Sequence, residues 1–304
     1  MQIKITVLPK HGEVPKEFIC QFLATALKMD FEECRRLQLS DGSVSVFVYD
    51  YNTFYKLKRL GERYSSFLEI HIEKNLAPEE LFKLSFKFIK GNIEFSFKWS
   101  SLVFVTALFS FSSYQIISVI SSFIQNFIQN IFSIFFAKFF KNSEYPEEDF
   151  KKVNLSDAFR CCSSNAFGLI LGILAFWLIL GFLFSVVILL LKEVGLILSG
   201  LGILWFLYAY PFIIGLASKE SGFSYGFFAP FKVIFSFSKT FSASYIKIGT
   251  YWLLASTFAI VGGVLLAITI VGIPLALMVF LWLTIYSGGL AYLSLKAFEN
   301  ERDT

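Results

Sequence analysis

Few side chains in this sequence could do chemistry, and their spacing limits what that chemistry is. Two histidines occur, His11 in a polar loop and His71 at an outward strand position. Neither is accompanied by the acid and nucleophile pattern that general-base or covalent catalysis requires, so both read as solvated surface groups. The four cysteines, Cys20, Cys34, Cys161 and Cys162, show neither metal-ligand spacing nor a disulfide framework. Reduced thiols are the expectation. Cys161-Cys162 stands just ahead of an apolar segment, where S-acylation occurs in cells that carry it out; small hydrophobes at a helix start are the plainer reading. The polar groups inside apolar sequence form a single stripe, Ser121, Ser122, Gln125, Asn126, Gln129, Asn130 and Ser133, at i, i+4 spacing. Within hydrocarbon such a face must turn toward protein or water. Gln125, Asn126, Gln129 and Asn130 are therefore candidate site residues, either as interhelical hydrogen-bonding groups or as the wall of a polar conduit. Pro211 removes a backbone donor from an apolar segment, which predicts a helix kink and a released carbonyl. No catalytic, metal or cofactor motif emerges, so no cofactor is expected.

The composition decides what surrounds these residues. Hydrophobic residues make up 56% of the chain and charged residues only 16%, against roughly 25% charged in an ordinary soluble domain. The charges are also unevenly placed. Trp99–Ala137, Cys161–Leu191, Val194–Ser218 and Ile248–Leu295 contain no Asp, Glu, Lys or Arg. A helix crossing the hydrocarbon needs roughly 20 residues, so each stretch holds one or two spans. The chain has too little polar sequence to cover a soluble core of that size. No secretory signal is expected, because residues 1–75 are polar and patterned like a globular domain. The formal net charge of +4 is modest, and the basic residues lie beside the apolar stretches. That suits anionic lipid headgroups and gives no case for nucleic acid.

Residues 1–75 carry period-two alternation in three places: Ile3, Ile5, Val7; Val44, Val46, Val48; and Leu68, Ile70, Ile72, with Glu69, His71 and Glu73 outward. Pro15 opens a helical pattern with Phe18, Ile19, Phe22, Leu23, Ala26 and Leu27 on one face. A short helix over Phe31–Leu37 follows, then an Asp41-Gly42 turn and a third helix through Phe54, Leu57 and Leu60, capped by Asp50 or Asn52. The expected order is β-α-α-β-α-β. That order, together with the stretch Leu27–Lys74, resembles the C-terminal domain of the bacterial ribosomal stalk protein and the related ClpS adaptor. The family fold is a docking module, so the resemblance implies a cytosolic protein partner. The Gly- and Lys-rich helix pair of the ribosomal domain is not found here, and no functional residue is carried over.

Counting spans rests on charge. If Trp99–Ala137 is a hairpin of two, every basic residue from Lys83 onward falls on one side except Lys192. A single span there scatters the same residues over both sides. The positive-inside rule therefore selects six spans, near 99–117, 119–138, 165–190, 194–217, 249–270 and 273–295, in three hairpins with both termini cytosolic. Outer turns are expected near Tyr114–Ser118, at Lys192-Glu193 and at Gly272-Ile273-Pro274. The domain reading is 1–75, a basic amphipathic juxtamembrane segment over 76–98, a membrane domain over 99–298 and a tail over 299–304. Lys83, Lys87, Lys90, Glu94 and Lys98 share one arc of a helical wheel, and Lys232, Lys239 and Lys247 share a face opposite Phe227, Phe231, Ile234, Phe241 and Tyr245. Such helices lie in the headgroup layer with lysines on anionic phosphates. Lys83, Lys87, Lys90, Lys232, Lys239 and Lys247 are thus candidate headgroup contacts. The middle loop reads as an acidic linker, Glu144 to Asp149 around Pro146, and Gly168-x-x-x-Gly172 allows close helix approach.

Tyr210-Pro211-Phe212-Ile213-Ile214, the Phe-rich stretch Phe223–Phe241 and Val271-Gly272-Ile273-Pro274 resemble uncharacterised six-helix membrane proteins of bacteria and archaea. These are similar in style to the membrane domain appended to some glycerophosphodiester phosphodiesterases. The resemblance implies residence in the cytoplasmic membrane of a prokaryote and assigns no catalytic residue. The expected function is a non-catalytic membrane scaffold or adaptor. A transporter or channel using the stripe on the second span, and a membrane-bound lipid-modifying enzyme, are the alternatives.

Overall fold

A computed structural model describes residues 2–10, 15–28, 30–39, 41–110, 114–269 and 272–300. His11, Val271 and Arg302 lie outside the described residues. The chain divides into two compact units, Met1–Glu80 and Leu81–Thr304.

The first unit runs β1 (Gln2–Pro9), α1 (Lys16–Leu27), α2 (Phe31–Leu37), β2 (Val44–Val48), α3 (Tyr51–Arg63) and β3 (Leu68–Asn75). The three strands form an antiparallel sheet in the order β2-β1-β3, with Ile5 opposite both Val46 and Ile72. One face is apolar because the alternation puts Ile3, Ile5, Val7, Val44, Val46, Val48 and Leu68 on it, all buried with Ile19, Leu23, Phe54 and Leu57 of the helices. Asp50 caps α3 by accepting from the Thr53 amide at 2.8 Å. This hydrogen bond holds the Asp50 carboxyl below its usual range. Cys20 and Cys34 are buried free thiols. Burial and the neighbouring Cys20 push the Cys34 thiol up to about 12, which leaves no reactive thiolate at neutral pH. His71 is exposed and its Nε2 lies 3.3 Å from the Glu69 carboxylate.

The second unit is helical: α4 (Pro78–Gly91, which begins in the first unit), α5 (Ile93–Ser110), α6 (Gln115–Asn142), α7 (Pro146–Asp149), α8 (Leu155–Leu191), α9 (Glu193–Tyr208), α10 (Tyr210–Ser218), α11 (Phe223–Phe235), α12 (Ala243–Ala267) and α13 (Gly272–Asn300), with 3-10 turns at Phe150–Lys152 and Phe237–Phe241. Among the described residues α6, α8, α12 and α13 are each long and apolar enough to cross a membrane, and α9 with α10 makes a fifth if that bent pair is one span. The sequence predicts six. Among the described residues α5 does not reach that threshold; it starts earlier than expected and has Glu94 and Lys98 in its first turns.

Burial is uneven. Of the most apolar window, 56% is buried in α13 but only 6% in α8. Leu281, Trp282, Ile285, Tyr286, Leu290 and Ala291 make α13 the central helix. Trp282 stacks on Phe86 and meets Phe82 edge-on, Ser287 reaches α6, and Gly263 of α12 packs against Phe280. An aromatic knot joins α4, α5, α6 and the linker: Phe88 meets Phe95, Phe136 and Phe150 edge-to-face with centroids 5.0–5.2 Å apart. Such pairs add about 0.5–1.5 kcal/mol each beyond burial.

Two expected amphipathic segments are broken rather than continuous. Residues 76–98 are interrupted at Asn92, whose Oδ1 accepts from the Phe95 amide at 3.1 Å and starts a new helix. Lys83, Lys87 and Lys90 are therefore on α4, while Glu94 and Lys98 are on α5. Lys232, Lys239 and Lys247 do not share a helix face either: they fall on α11, the second 3-10 turn and the first turns of α12. The cause is packing of α11 on α8. A Cβ at Gly168 would run into the Phe223 carbonyl, one at Gly172 into that of Phe227, and one at Gly226 into that of Asn165. Three glycines thus let two backbones touch, and α11 cannot lie free as a surface helix.

Candidate functional site

Two of the residues singled out in sequence, Pro211 and Asn130, come together where α6, the α9–α10 break and α12 meet. Pro211 is the origin. It has no amide to give the Leu207 carbonyl, and the Phe212 amide is diverted from Tyr208 to the Ala209 carbonyl at 3.0 Å, which also accepts the ordinary helical bond from Ile213 at 3.1 Å. The carbonyls of Leu207 and Tyr208 lose their helical donors and the axis bends by 48°. Both carbonyls are recovered from α12. Trp252 Nε1 donates to the Leu207 carbonyl at 3.0 Å and the Tyr245 hydroxyl to that of Tyr208 at 2.9 Å. The Tyr208 hydroxyl in turn donates to the Thr240 carbonyl at 3.1 Å, and Trp205 Nε1 to the Thr240 hydroxyl at 3.1 Å. The bend is therefore braced on its open side by a ladder of aromatic donors.

The polar stripe of α6 meets this bend at one residue. The Tyr210 hydroxyl donates to Asn130 Oδ1 at 3.1 Å, while Asn130 Nδ2 donates to the Asn126 carbonyl at 2.8 Å. The Tyr210 ring stacks on Trp252 with centroids 5.3 Å apart. Farther along, Ser133 and Ser287 share a buried hydrogen bond of 2.9 Å, and Ser121 donates to the Thr106 carbonyl of α5. The stripe does not act as one surface. Ser121, Asn130 and Ser133 are buried seam residues, Gln125 and Gln129 are half-buried, and Asn126 is exposed with its amide on the Ser122 carbonyl. Polar side chains that hydrogen-bond between helices in this way hold a bundle together.

Asn165, which no spacing argument singles out, makes three side-chain hydrogen bonds. It is buried, donates to the carbonyls of Ala217 and Glu220 at 2.6 and 2.7 Å, and accepts from the Gly222 amide at 3.0 Å. It thereby closes the end of α10 and sets the turn into α11, where Gly222 has a φ of +137° that favours glycine. Its only signal in the sequence is a lone carboxamide beside Gly168-x-x-x-Gly172.

The candidate headgroup lysines are distributed as follows. Lys83, Lys87 and Lys90 are exposed on α4, and Lys87 bridges to Glu147 at 2.9 Å. Lys239 lies 3.9 Å over the Phe298 ring, and Lys232 and Lys247 are exposed near Tyr225 and Tyr251. Among the described residues there is no group of three or more His, Cys, Asp or Glu that could hold a metal ion. Comparison with protein-family models, curated proteins and solved structures finds no match for this chain.

Proposed function

We propose that this chain is a non-catalytic membrane scaffold or adaptor: a six-span bundle of three hairpins with both termini cytosolic, whose N-terminal unit recruits a cytosolic protein. The helices of the second unit support the bilayer setting. Leu178, Phe182 and Leu189 of α8 are 77%, 71% and 79% exposed, and Leu196, Ile197 and Leu204 of α9 and Leu254, Phe258 and Leu265 of α12 continue the apolar surface. An exposed apolar area on this scale belongs in lipid. In this reading α5 spans as the short partner of α6, with Glu94 and Lys98 at the headgroup level and Lys83, Lys87 and Lys90 facing anionic lipid.

One observation carries the adaptor function. Asn130, Ser133 and Asn165 make their hydrogen bonds within the bundle, whereas the separately packed N-terminal unit exposes a basic aromatic helix face. Tyr55, Lys56, Arg59 and Arg63 of α3 are exposed along a shallow cleft of about 350 Å³. The occupant that matches this face is an acidic segment of a partner protein. Affinity capture with the full chain in native membranes, compared with a Lys56→Glu/Arg59→Glu/Arg63→Glu variant, tests it. A stoichiometric partner that binds the wild type through an acidic segment and is lost from the variant is the expected result. No specific partner, or equal capture by both, would overturn the adaptor reading.

A further inference from the structure

The segment between α6 and α8 reads in sequence as an acidic linker, yet it is tied down. Tyr145 and Phe150 are buried, and Phe150 enters the aromatic knot. Asn92 Nδ2 donates to the carbonyls of Phe150 and Val153 at 2.9 and 3.1 Å. One asparagine therefore starts α5 with its oxygen and holds the linker with its nitrogen. The consequence is a fixed cavity of about 250 Å³ between the first turns of α5 and the entry to α8, walled by Lys98, Lys151, Lys152, Glu94 and Asn154.

Lys98, Lys151 and Lys152 line this cavity from two distant segments, and Glu94 is the one carboxylate among the described residues that line it. The linker acids pair with the lysines at its edge: Glu148 with Lys151 at 3.0 Å and Asp149 with Lys152 at 3.3 Å. Lys98 is paired with Glu94, whose carboxyl it holds below the usual range. The lysines of all three pairs are solvent-exposed, Glu148 and Asp149 are half-buried, and the partners are near in sequence. Pairs with an exposed lysine and a near neighbour contribute little, so a multiply charged anion can compete with these carboxylates for the three lysines. Compact, mobile point charges around a small polar cavity suit an anion with several acceptor oxygens and more than one negative charge, not a planar carboxylate. The N-terminus of α8 opens at the same place and adds favourable potential.

We propose that this cavity is a phosphate-binding site, occupied either by the phosphate of an anionic lipid headgroup or by a free phosphate. It uses none of the α3 residues, and only its lipid arm rests on the bilayer reading above.

The test compares the purified full chain with Lys98→Gln/Lys151→Gln/Lys152→Gln and with a charge-matched control, Lys4→Gln/Lys10→Gln/Lys28→Gln. Retention of phosphatidylglycerol is measured in phosphatidylcholine nanodiscs with and without that lipid, and inorganic phosphate is titrated by calorimetry in detergent. Wild type and control should bind alike, and the triple variant should bind about a hundredfold more weakly, since each lysine near an anionic surface contributes several-fold. Phosphatidylglycerol retention without phosphate binding identifies the headgroup as the source; saturable phosphate binding identifies the free anion. If circular dichroism shows the triple variant misfolded, the three single variants answer the same question, each with a loss of about fivefold. Binding of neither probe by wild type, or equal binding by the lysine variants, overturns the proposal. Partner capture through α3 is unaffected by these substitutions, so the two proposals fail separately.

Discussion

At the scale of single residues, the second unit is organised by hydrogen bonds that a proline made necessary. Pro211 releases the carbonyls of Leu207 and Tyr208, and Trp252 and Tyr245 supply the replacement donors. Trp252→Phe and Tyr245→Phe keep most of each ring's packing and remove the donor. Each is expected to destabilise the bundle by about 1–2 kcal/mol, the range for an orphaned acceptor in a medium where the unfolded reference state finds some partners of its own. Equilibrium unfolding in mixed detergent measures this. Losses below about 0.5 kcal/mol for both would mean that water or a shifted backbone replaces the donors. Part of this is legible in the sequence. A missing amide at Pro211 announces an orphan carbonyl at Leu207, but which donor answers depends on how α12 lies against α9, and nothing local to Trp252 or Tyr245 encodes that. Asn165 is hidden for the same reason: its three partners are more than fifty residues away.

At the scale of elements, legibility follows how local the cause is. The strands and helices of the first unit are set by period-two and i, i+4 patterns within each segment, and Asp50 caps α3 through its neighbour Thr53. Asp50→Ala is expected to cost α3 about 1 kcal/mol, read as a roughly fivefold rise in amide exchange across Tyr51–Arg63 relative to wild type. Because the folded Asp50 is held below its ordinary value, this contribution is complete above about pH 4 and fades as the pH falls through the depressed folded value. The variant-to-wild-type ratio should therefore approach one in stronger acid. A ratio that stays constant down to about pH 2 would assign the effect to helix propensity. The juxtamembrane segments defeat a helical wheel because the wheel assumes an unbroken helix. Asn92 breaks the first, and the Gly168, Gly172 and Gly226 contact pulls α11 out of the second. The glycine pair of α8 is visible in sequence as a close-approach motif, but its partner helix is not.

At the scale of the whole molecule, the charge-free stretches of the sequence become the apolar helices, and the shortage of polar residues becomes an uncovered apolar surface along α8, α9 and α12. Among the described residues, length and composition bring four or five helices to the threshold for crossing a bilayer. The sixth span of the proposed topology would be α5, with Glu94 and Lys98 at an interface and the rest of the helix in hydrocarbon. In the proposed topology the arrangement of basic residues sets the orientation: Lys192, in the α8–α9 turn, is alone on the far side from the other lysines and arginines of the second unit. Substituted-cysteine accessibility in intact cells, on a chain whose four native cysteines are replaced by serine, tests this directly. Cysteine at position 192 should react with an impermeant maleimide from outside, while cysteines placed at Gln2 and Asn300 should be labelled only after the cells are opened. Labelling of positions 2 and 300 from opposite sides of the membrane would contradict the three-hairpin arrangement.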